Sequence, residues 1–441
     1  MEWLGRSAAE QGRAIGTGTL DPVDLTEAYI DAAAAHPLAP RIYARMTEDR
    51  ARAEAVAAHD RAKAGARLGP LDGVPISWKD LFDTTGVATE AGSALLEGRV
   101  PDRDAEVLAK ATAQGLICLG KTHMSELAFS GLGYNPITAT APCIHDPDCV
   151  SGGSSSGAAA SVAFGLAAAG IGSDTGGSVR IPAAWNDLVG LKTTSGRVSL
   201  SGVVPLCLQF DTVGPLTRSV EDAALLLAAL EGGQAADLRG ADLSGRRFMV
   251  LETIVFDDIE DAPAEAFEAA IRRLEAAGAV IERGPAAMLT EAFGFTLGLY
   301  TGEAYGLWRD VIEAAPEKMF PEILERFRLG RDVSAADYVA GWARLRQLRL
   351  EFQAATAGFD AVLMPSCPIL PPELARLESD HDYYVSRNLL ALRNTRVANL
   401  MGSASLTLPT GEPSCGLMLL TPPGSEEHLL RIGAAVEAAL G

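Results

Sequence analysis

Basic residues, cysteines and histidines are scarce in this chain, and no long apolar run occurs. Thirty-seven lysines and arginines face 57 acidic residues, for a formal charge of −20 at pH 7. So acidic a surface repels nucleic-acid backbones and anionic lipid headgroups, and neither nucleic acid nor membrane is expected as a partner. Six cysteines in 441 residues form no CxxC pair and stand far below the density of a disulfide scaffold, so reduced thiols are expected. Apolar stretches are broken by glycine, serine or charge well before the roughly 18 residues that a membrane span needs. The opening MEWLGRSAAEQGRAIGTGTL places acidic and polar residues where a secretory signal needs an unbroken apolar run. A cytoplasmic location is the expectation.

What is present is a globular composition. With 48% hydrophobic and 21% charged residues, the chain is long enough to bury a large core, as one α/β domain or two smaller ones. From Asp24 to about Lys63 the pattern rich in Ala, Glu and Arg predicts surface helices. GPLDGVPISWKD then breaks the helical pattern and sets a short strand whose end presents Lys79. DAEVLAKATAQG reads as a helix stopped by Gly115, and LICLGK as the next strand. Helix alternating with strand predicts an α/β sheet with helices on its faces. Between Ser151 and Arg180 two glycine-rich turns flank an apolar helix, and SVEDAALLLAAL is a further helix. A linker is expected from Gly232 to Gly245, then a strand in RRFMVLETIVF and mostly helices from Ala262 to Ala357. FDAVLMPSCPI and SASLTLPT read as late strands before a closing helix, HLLRIGAAVEAAL.

Glycine- and serine-rich loops turn consecutive backbone N–H groups toward one point, where they hold a phosphate or the oxyanion of acyl transfer. The loop GGSSSG lacks the lysine of a phosphate-binding loop. Acyl transfer needs a hydroxyl nucleophile, a base and oxyanion donors. The usual base is histidine, but none of the six lies within a glycine–serine motif. His123 and His145 are the nearest, and each reads better as a loop or core residue, so a Ser-His-Asp triad is disfavoured. No HExxH motif marks a zinc hydrolase, and neither metal nor cofactor is expected. A lysine replaces histidine when burial lowers its pKa toward neutrality, and Lys79, after the apolar run VPISW, meets that need.

Here the motifs match a known family. GGSSSGAAASVA from Gly152 and GSDTGGSVRIPAA from Gly172 resemble the amidase signature, and LDGVPISWKDLFDTTG resembles its upstream lysine motif. GKTHMSELAFSG, GLKTTSGRVSLSGVVPL and DTVGPLTRSVEDAALLL agree as well, so the resemblance is strong from about Leu68 to Leu230 and weaker beyond. It implies an amidase signature fold: a central mixed β-sheet covered by helices on both faces. It also implies one domain over 1–441, with N-terminal helices to about 65, a catalytic core at 66–230, a helical substrate-side segment at 260–357 and C-terminal strands and helix from 358.

Carried onto this sequence, the resemblance implies a Ser–cisSer–Lys triad, with Ser178 as nucleophile, Ser154 as the middle serine after a cis peptide bond, and Lys79 as base. Ser155 is expected to support the lysine by a hydrogen bond. The backbone N–H groups of Thr175, Gly176, Gly177 and Ser178 are the expected oxyanion hole. Arg180 is read as ordering the loop by pairing with Asp174 or another carboxylate, in preference to binding a substrate carboxylate. The competing reading of the serines, as helix caps, explains one loop but neither the second loop nor the lysine. Departures from the pattern at Val150-Ser151, Ala158 and His123 remove no catalytic group.

The expected activity is hydrolysis of the C–N bond of a small carboxylic amide, through an acyl-enzyme. The alternatives are the glutaminase (A) subunit of a tRNA-dependent amidotransferase and a non-catalytic binding protein on the same fold. The expected partner is a small amide, and a homodimer is left open. The AFSGLGYNP loop and residues after Ala262 are expected to line the pocket, with Tyr300, Tyr305 and Trp308 read as core rather than ligand contacts.

Overall fold

A computed structural model describes residues 2–441. Eleven strands form one sheet: β1 (Tyr43–Met46), β2 (Pro75–Lys79), β3 (Ile117–Thr122), β4 (Ala169–Asp174), β5 (Val189–Lys192), β6 (Thr212–Thr217), β7 (Arg247–Leu251), β8 (Val280–Gly284), β9 (Ala361–Pro365), β10 (Ala404–Pro409) and β11 (Gly416–Thr421). Their order is β1-β3-β2-β4-β6-β5-β10-β11-β9-β7-β8. The pairings β3·β2·β4 and β9·β7·β8 are parallel and the rest antiparallel, so the sheet is mixed, as expected.

The strands legible in the sequence were the apolar ones, at β2, β3, β7, β9 and β10. Those at β4, β5 and β6 lie in the middle of the sheet and carry glycine and proline instead of alternating side chains. AGIGSD is β4, with every residue buried. Glycine is required there because the helix Ser156–Ala163 packs directly upon it, the Ala158 carbonyl oxygen lying 2.7 Å from where a β-carbon on Gly170 would sit. A β-carbon on Gly172 would stand 2.6 Å from the Ser155 hydroxyl oxygen. Pro215 lies inside β6, a residue that usually argues against a central strand. Pro215 stands opposite Ile171 of β4, while β5 pairs only with Leu216 and Thr217, so on that side Pro215 lies outside the ladder. β1 interrupts the expected N-terminal helices, and β8 is a mostly exposed edge within the stretch predicted helical.

Helix ends follow their capping chemistry. Ser219 caps Val220–Glu231 by accepting from the Asp222 N–H, and Gly232 closes it at φ 74°. Asp380 caps the long helix His381–Met401, which ends at Gly402 with φ 71°. No helix among the described residues is long and apolar enough to cross a membrane.

Candidate active site

Lys79 ends β2, and Ser173 and Asp174 end β4, its parallel neighbour in the register Trp78–Ile171. Parallel pairing thus sets the amine beside the Ser173 hydroxyl, to which Nζ donates at 2.8 Å. Nζ also donates to the Ser154 hydroxyl at 2.7 Å. The peptide bond joining Gly153 to Ser154 is cis. Burial pushes the Lys79 amine down to about 7, while the carboxylates of Asp174 and Asp211 push the other way. The side chain is therefore poised between its two protonation states near neutral pH.

Ser178 follows β4 on the DTGGS turn and reaches the wall of a cavity of about 200 Å³. Its hydroxyl makes no hydrogen bond among the described residues, so the link to Ser154 is through the backbone, the Ser155 N–H donating to the Ser178 carbonyl at 3.2 Å. The Ser155 side chain does not touch the lysine. It bridges the backbone of Ser173, donating to the carbonyl at 3.2 Å and accepting from the N–H at 3.3 Å. Ser173 is thus the serine that supports Lys79, and Ser155 holds Ser173 in turn. Sequence reading missed Ser173 because it lies in a strand that was not predicted.

Asp174 organises the turn. Its carboxylate accepts from the N–H groups of Gly177 (2.9 Å) and Val179 (3.1 Å), and from Nδ2 of Asn399 (2.9 Å). Arg180 donates to the same carboxylate through Nε (3.0 Å) and Nη2 (2.9 Å), a bidentate pair sealed from solvent. Burial raises the pKa of Asp174, but the Arg180 charge overrides it and holds the group at about 2. Arg180 also donates to the Thr395 carbonyl at 2.7 Å and to Asn399 Oδ1 at 2.6 Å, which leaves it committed to protein groups.

The same bond removes Gly177 from the expected oxyanion donors, because its N–H already serves Asp174. The N–H groups of Thr175, Gly176 and Ser178 have no partner among the described residues and remain available at the cavity. Gly177 has φ 141°, and a β-carbon there would meet Thr395 Oγ1 at 2.1 Å, so glycine is required. Thr175 is fixed from both ends: its hydroxyl donates to buried Asp211 at 2.5 Å, and its carbonyl accepts from Tyr300 at 3.0 Å.

The cavity is lined by Phe129 and Ser130 of the expected loop and, from the later segment, by Tyr300, Arg326 and Arg396 among others. Tyr300 is core as expected, buried and stacked on Phe210, and it also walls the cavity. Trp308 and Tyr305 lie elsewhere, with Trp308 donating to the Pro205 carbonyl and Tyr305 to Glu313. One group of potential metal ligands, Glu322, Glu325 and His381, converges among the described residues outside this cavity. Two strings match other motifs by their letters alone. GLICLGKT, residues 115–122, spells GxxxxGK[ST], yet it forms β3, and Lys121 is buried on Asp80 and the Phe82 carbonyl instead of facing a phosphate. GSSSG, residues 153–157, spells GxSxG, but no strand leads into it.

The chain is similar to known amidases throughout. The family pattern described as Amidase matches residues 24–430. The 2-amino-5-chloromuconic acid deaminase of Comamonas testosteroni is 36% identical over 428 residues, covering 94% of this chain and 92% of that protein. The A subunit of the glutamyl-tRNA(Gln) amidotransferase of Thermobifida fusca is 33% identical, covering 100% of this chain and 96% of that protein. Native peptide amidase from Stenotrophomonas maltophilia superimposes with a TM-score of 0.83 at 26% identity, over 98% of this chain and 96% of that one. A family match over most of the chain, together with the shared mixed sheet, places the protein: it belongs to the amidase signature family and is an amide hydrolase.

Proposed function

We propose that the protein cleaves a small carboxylic amide through an acyl-enzyme on Ser178, with Ser154 and Lys79 as the proton relay. The observation that carries this reading is the 2.7 Å contact between the Lys79 amine and the Ser154 hydroxyl, in a site where burial brings the amine to about 7. A neutral amine accepts as well as donates, so the same contact passes a proton either way. In the resting geometry Ser178 is not bonded to Ser154. The reactive arrangement needs its hydroxyl to turn toward Ser154 when substrate fills the cavity, as catalytic hydrogen bonds commonly tighten only in the complex.

The steps follow. Ser178 Oγ attacks the amide carbon while its proton moves to Ser154, whose own proton moves to Lys79 Nζ. Charge gathers on the carbonyl oxygen, where the free N–H groups of Thr175, Gly176 and Ser178 receive it; one such donor is worth about 2.7–4 kcal/mol in the transition state. Collapse breaks the C–N bond, and the leaving nitrogen takes the proton back from Lys79 by way of Ser154. Water then attacks the ester through the same relay, releasing the acid and restoring the Ser178 hydroxyl.

The test is diversion of the acyl group to hydroxylamine. Wild type with an amide substrate should form the hydroxamate, and Ser178→Ala should form none. Lys79→Ala should lower kcat/KM near neutral pH by about 10²- to 10⁴-fold. Undiminished turnover by Lys79→Ala would remove lysine from the mechanism.

The amidotransferase-subunit reading is favoured by the full-length similarity to that class. Against it, no aspartate or glutamate among the described residues lines the cavity, so the α-ammonium of glutamine would meet no carboxylate there. Amide hydrolysis by the purified chain alone separates the two readings.

A further inference from the structure

Two arginines share the cavity with Ser178, and neither has a partner. Arg326 and Arg396 form no ion pair and no hydrogen bond among the described residues, and Nη1 of Arg326 is sealed from solvent with nothing to donate to. Fully buried cations elsewhere meet acceptors: Arg180 meets Asp174, Lys121 meets Asp80, and Lys192 the carbonyls of Thr193 and Ser403. The two guanidinium groups instead rest on rings, Arg326 with Cζ 4.7 Å from the centre of Phe129 and Arg396 with Cζ 5.9 Å from that of Tyr300. Those contacts recover part of the cost of taking a cation out of water, but they use no N–H.

Burial lowers both groups, Arg326 to about 9, and the charge of Arg396 adds to the effect at Arg326. Two like charges therefore face one space that no carboxylate among the described residues lines. Arg396 also lies against the oxyanion turn. Its Nε is 3.7 Å from where a β-carbon on Gly176 would sit, two residues from the nucleophile. The remaining walls are largely apolar, and Leu297, Leu329 and Leu389 at the cavity are each at least half exposed.

We propose that the missing partner is the substrate: an amide whose acyl part carries an ionised carboxylate, held by Arg326 and Arg396 while its amide carbonyl lies against Ser178. The inference rests on Ser178 as nucleophile and adds the substrate class. A guanidinium offers a planar fork of donors that matches a carboxylate, so an anion supplies both the charge and the acceptors that the cavity lacks. With no acidic residue on the walls, the rest of the acyl chain carries no cation. Monoamides of short dicarboxylic acids fit, whereas α-amino acid amides do not. The cavity is smaller than the ~300–1,000 Å³ of pockets that hold drug-sized ligands, which favours a chain of a few carbons.

The experiment compares succinamate, glutaramate and adipamate with the methyl esters of the same monoamides. Wild type should favour the best carboxylate over its ester by ~10- to 100-fold in kcat/KM, the range of a charge-assisted contact. Arg326→Met and Arg396→Met should each move that ratio toward one, chiefly through KM. Glutarate at millimolar concentration should also slow labelling of wild-type Ser178 by a fluorophosphonate. This second reading needs no variant and stands even if one fails to fold. Esters turned over as well as acids, or labelling indifferent to glutarate, would overturn the carboxylate site while Ser178 still labels. Failure of Ser178 to label, with no amide cleaved, would instead strike the nucleophile on which the inference rests.

Discussion

A lysine serves as base at neutral pH only if its proton is easily lost, and the surroundings of Lys79 would fit it to that role in the proposed relay. Desolvation favours the neutral amine, Asp174 and Asp211 oppose it, and the balance falls at about 7. The base form grows as pH rises, so in the proposed relay kcat/KM should climb through about pH 7 on its acid side. Ser173 enters the same balance, because its oxygen accepts a hydrogen bond from Nζ and so stabilises the charged form. Ser173→Ala should therefore shift the acid limb to lower pH while lowering kcat ~10-fold by loosening the amine. A pH–rate profile of the variant checks this, and an unmoved limb with an intact rate would mean that the contact is idle. Lys79, Ser154 and Ser178 were legible because each stands in a dense local motif. Ser173 was not: its partner is 94 residues away, and only strand pairing brings the two together.

Two elements more than two hundred residues apart in sequence meet at the DTGGS turn. The helix His381–Met401 supplies Thr395 and Asn399, and the DTGGS turn supplies Asp174 and the start of the Arg180–Trp185 helix. Arg180 ties them by reaching Asp174, the Thr395 carbonyl and Asn399 from one guanidinium. Removing one member of a buried ion pair strands the other charge, so Arg180→Met should cost ~3–5 kcal/mol of stability. Adding Asp174→Asn should restore part of it, and denaturant unfolding of the two single variants and the double variant measures the coupling. Strict additivity would show that the pair acts independently of its partner. The pairing of Arg180 with Asp174 could be read from a spacing of six residues. The late helix could not, since nothing in ALRNTRVANL marks which face meets a turn more than two hundred positions earlier. Arg326 and Arg396 escaped notice for the same reason: an arginine on a helix reads as solvent-facing until the fold turns it inward.

At the scale of the whole molecule, the fold class was legible because strands such as ICLGKT and AVLMP alternate with helices, while the central strands were hidden by the glycines that let helices approach them. The same depth of burial makes the stability depend on pH in two opposite senses. Lys79 titrates at 10.5 ordinarily and at about 7 in the fold. Between those values the unfolded chain holds a proton that the native one has lost, so this group makes stability rise with pH, and below about 7 its full penalty is present. Glu126 behaves inversely. Burial lifts it from 4.5 to about 7, against hydrogen bonds from Ser93 and the Phe320 N–H. Over that window the native state keeps a proton that the unfolded chain has shed, so its contribution falls as pH rises. Wild type minus Lys79→Met should thus slope upward from about pH 7 to 10.5, and wild type minus Glu126→Gln downward from 4.5 to about 7. Neither slope can exceed ~1.4 kcal/mol per pH unit, the limit for a single proton. Denaturant unfolding at a series of pH values gives both difference curves. A flat curve for the lysine would mean that its amine is as easily charged inside the fold as in water, and a base so ordinary could not run the relay at neutral pH.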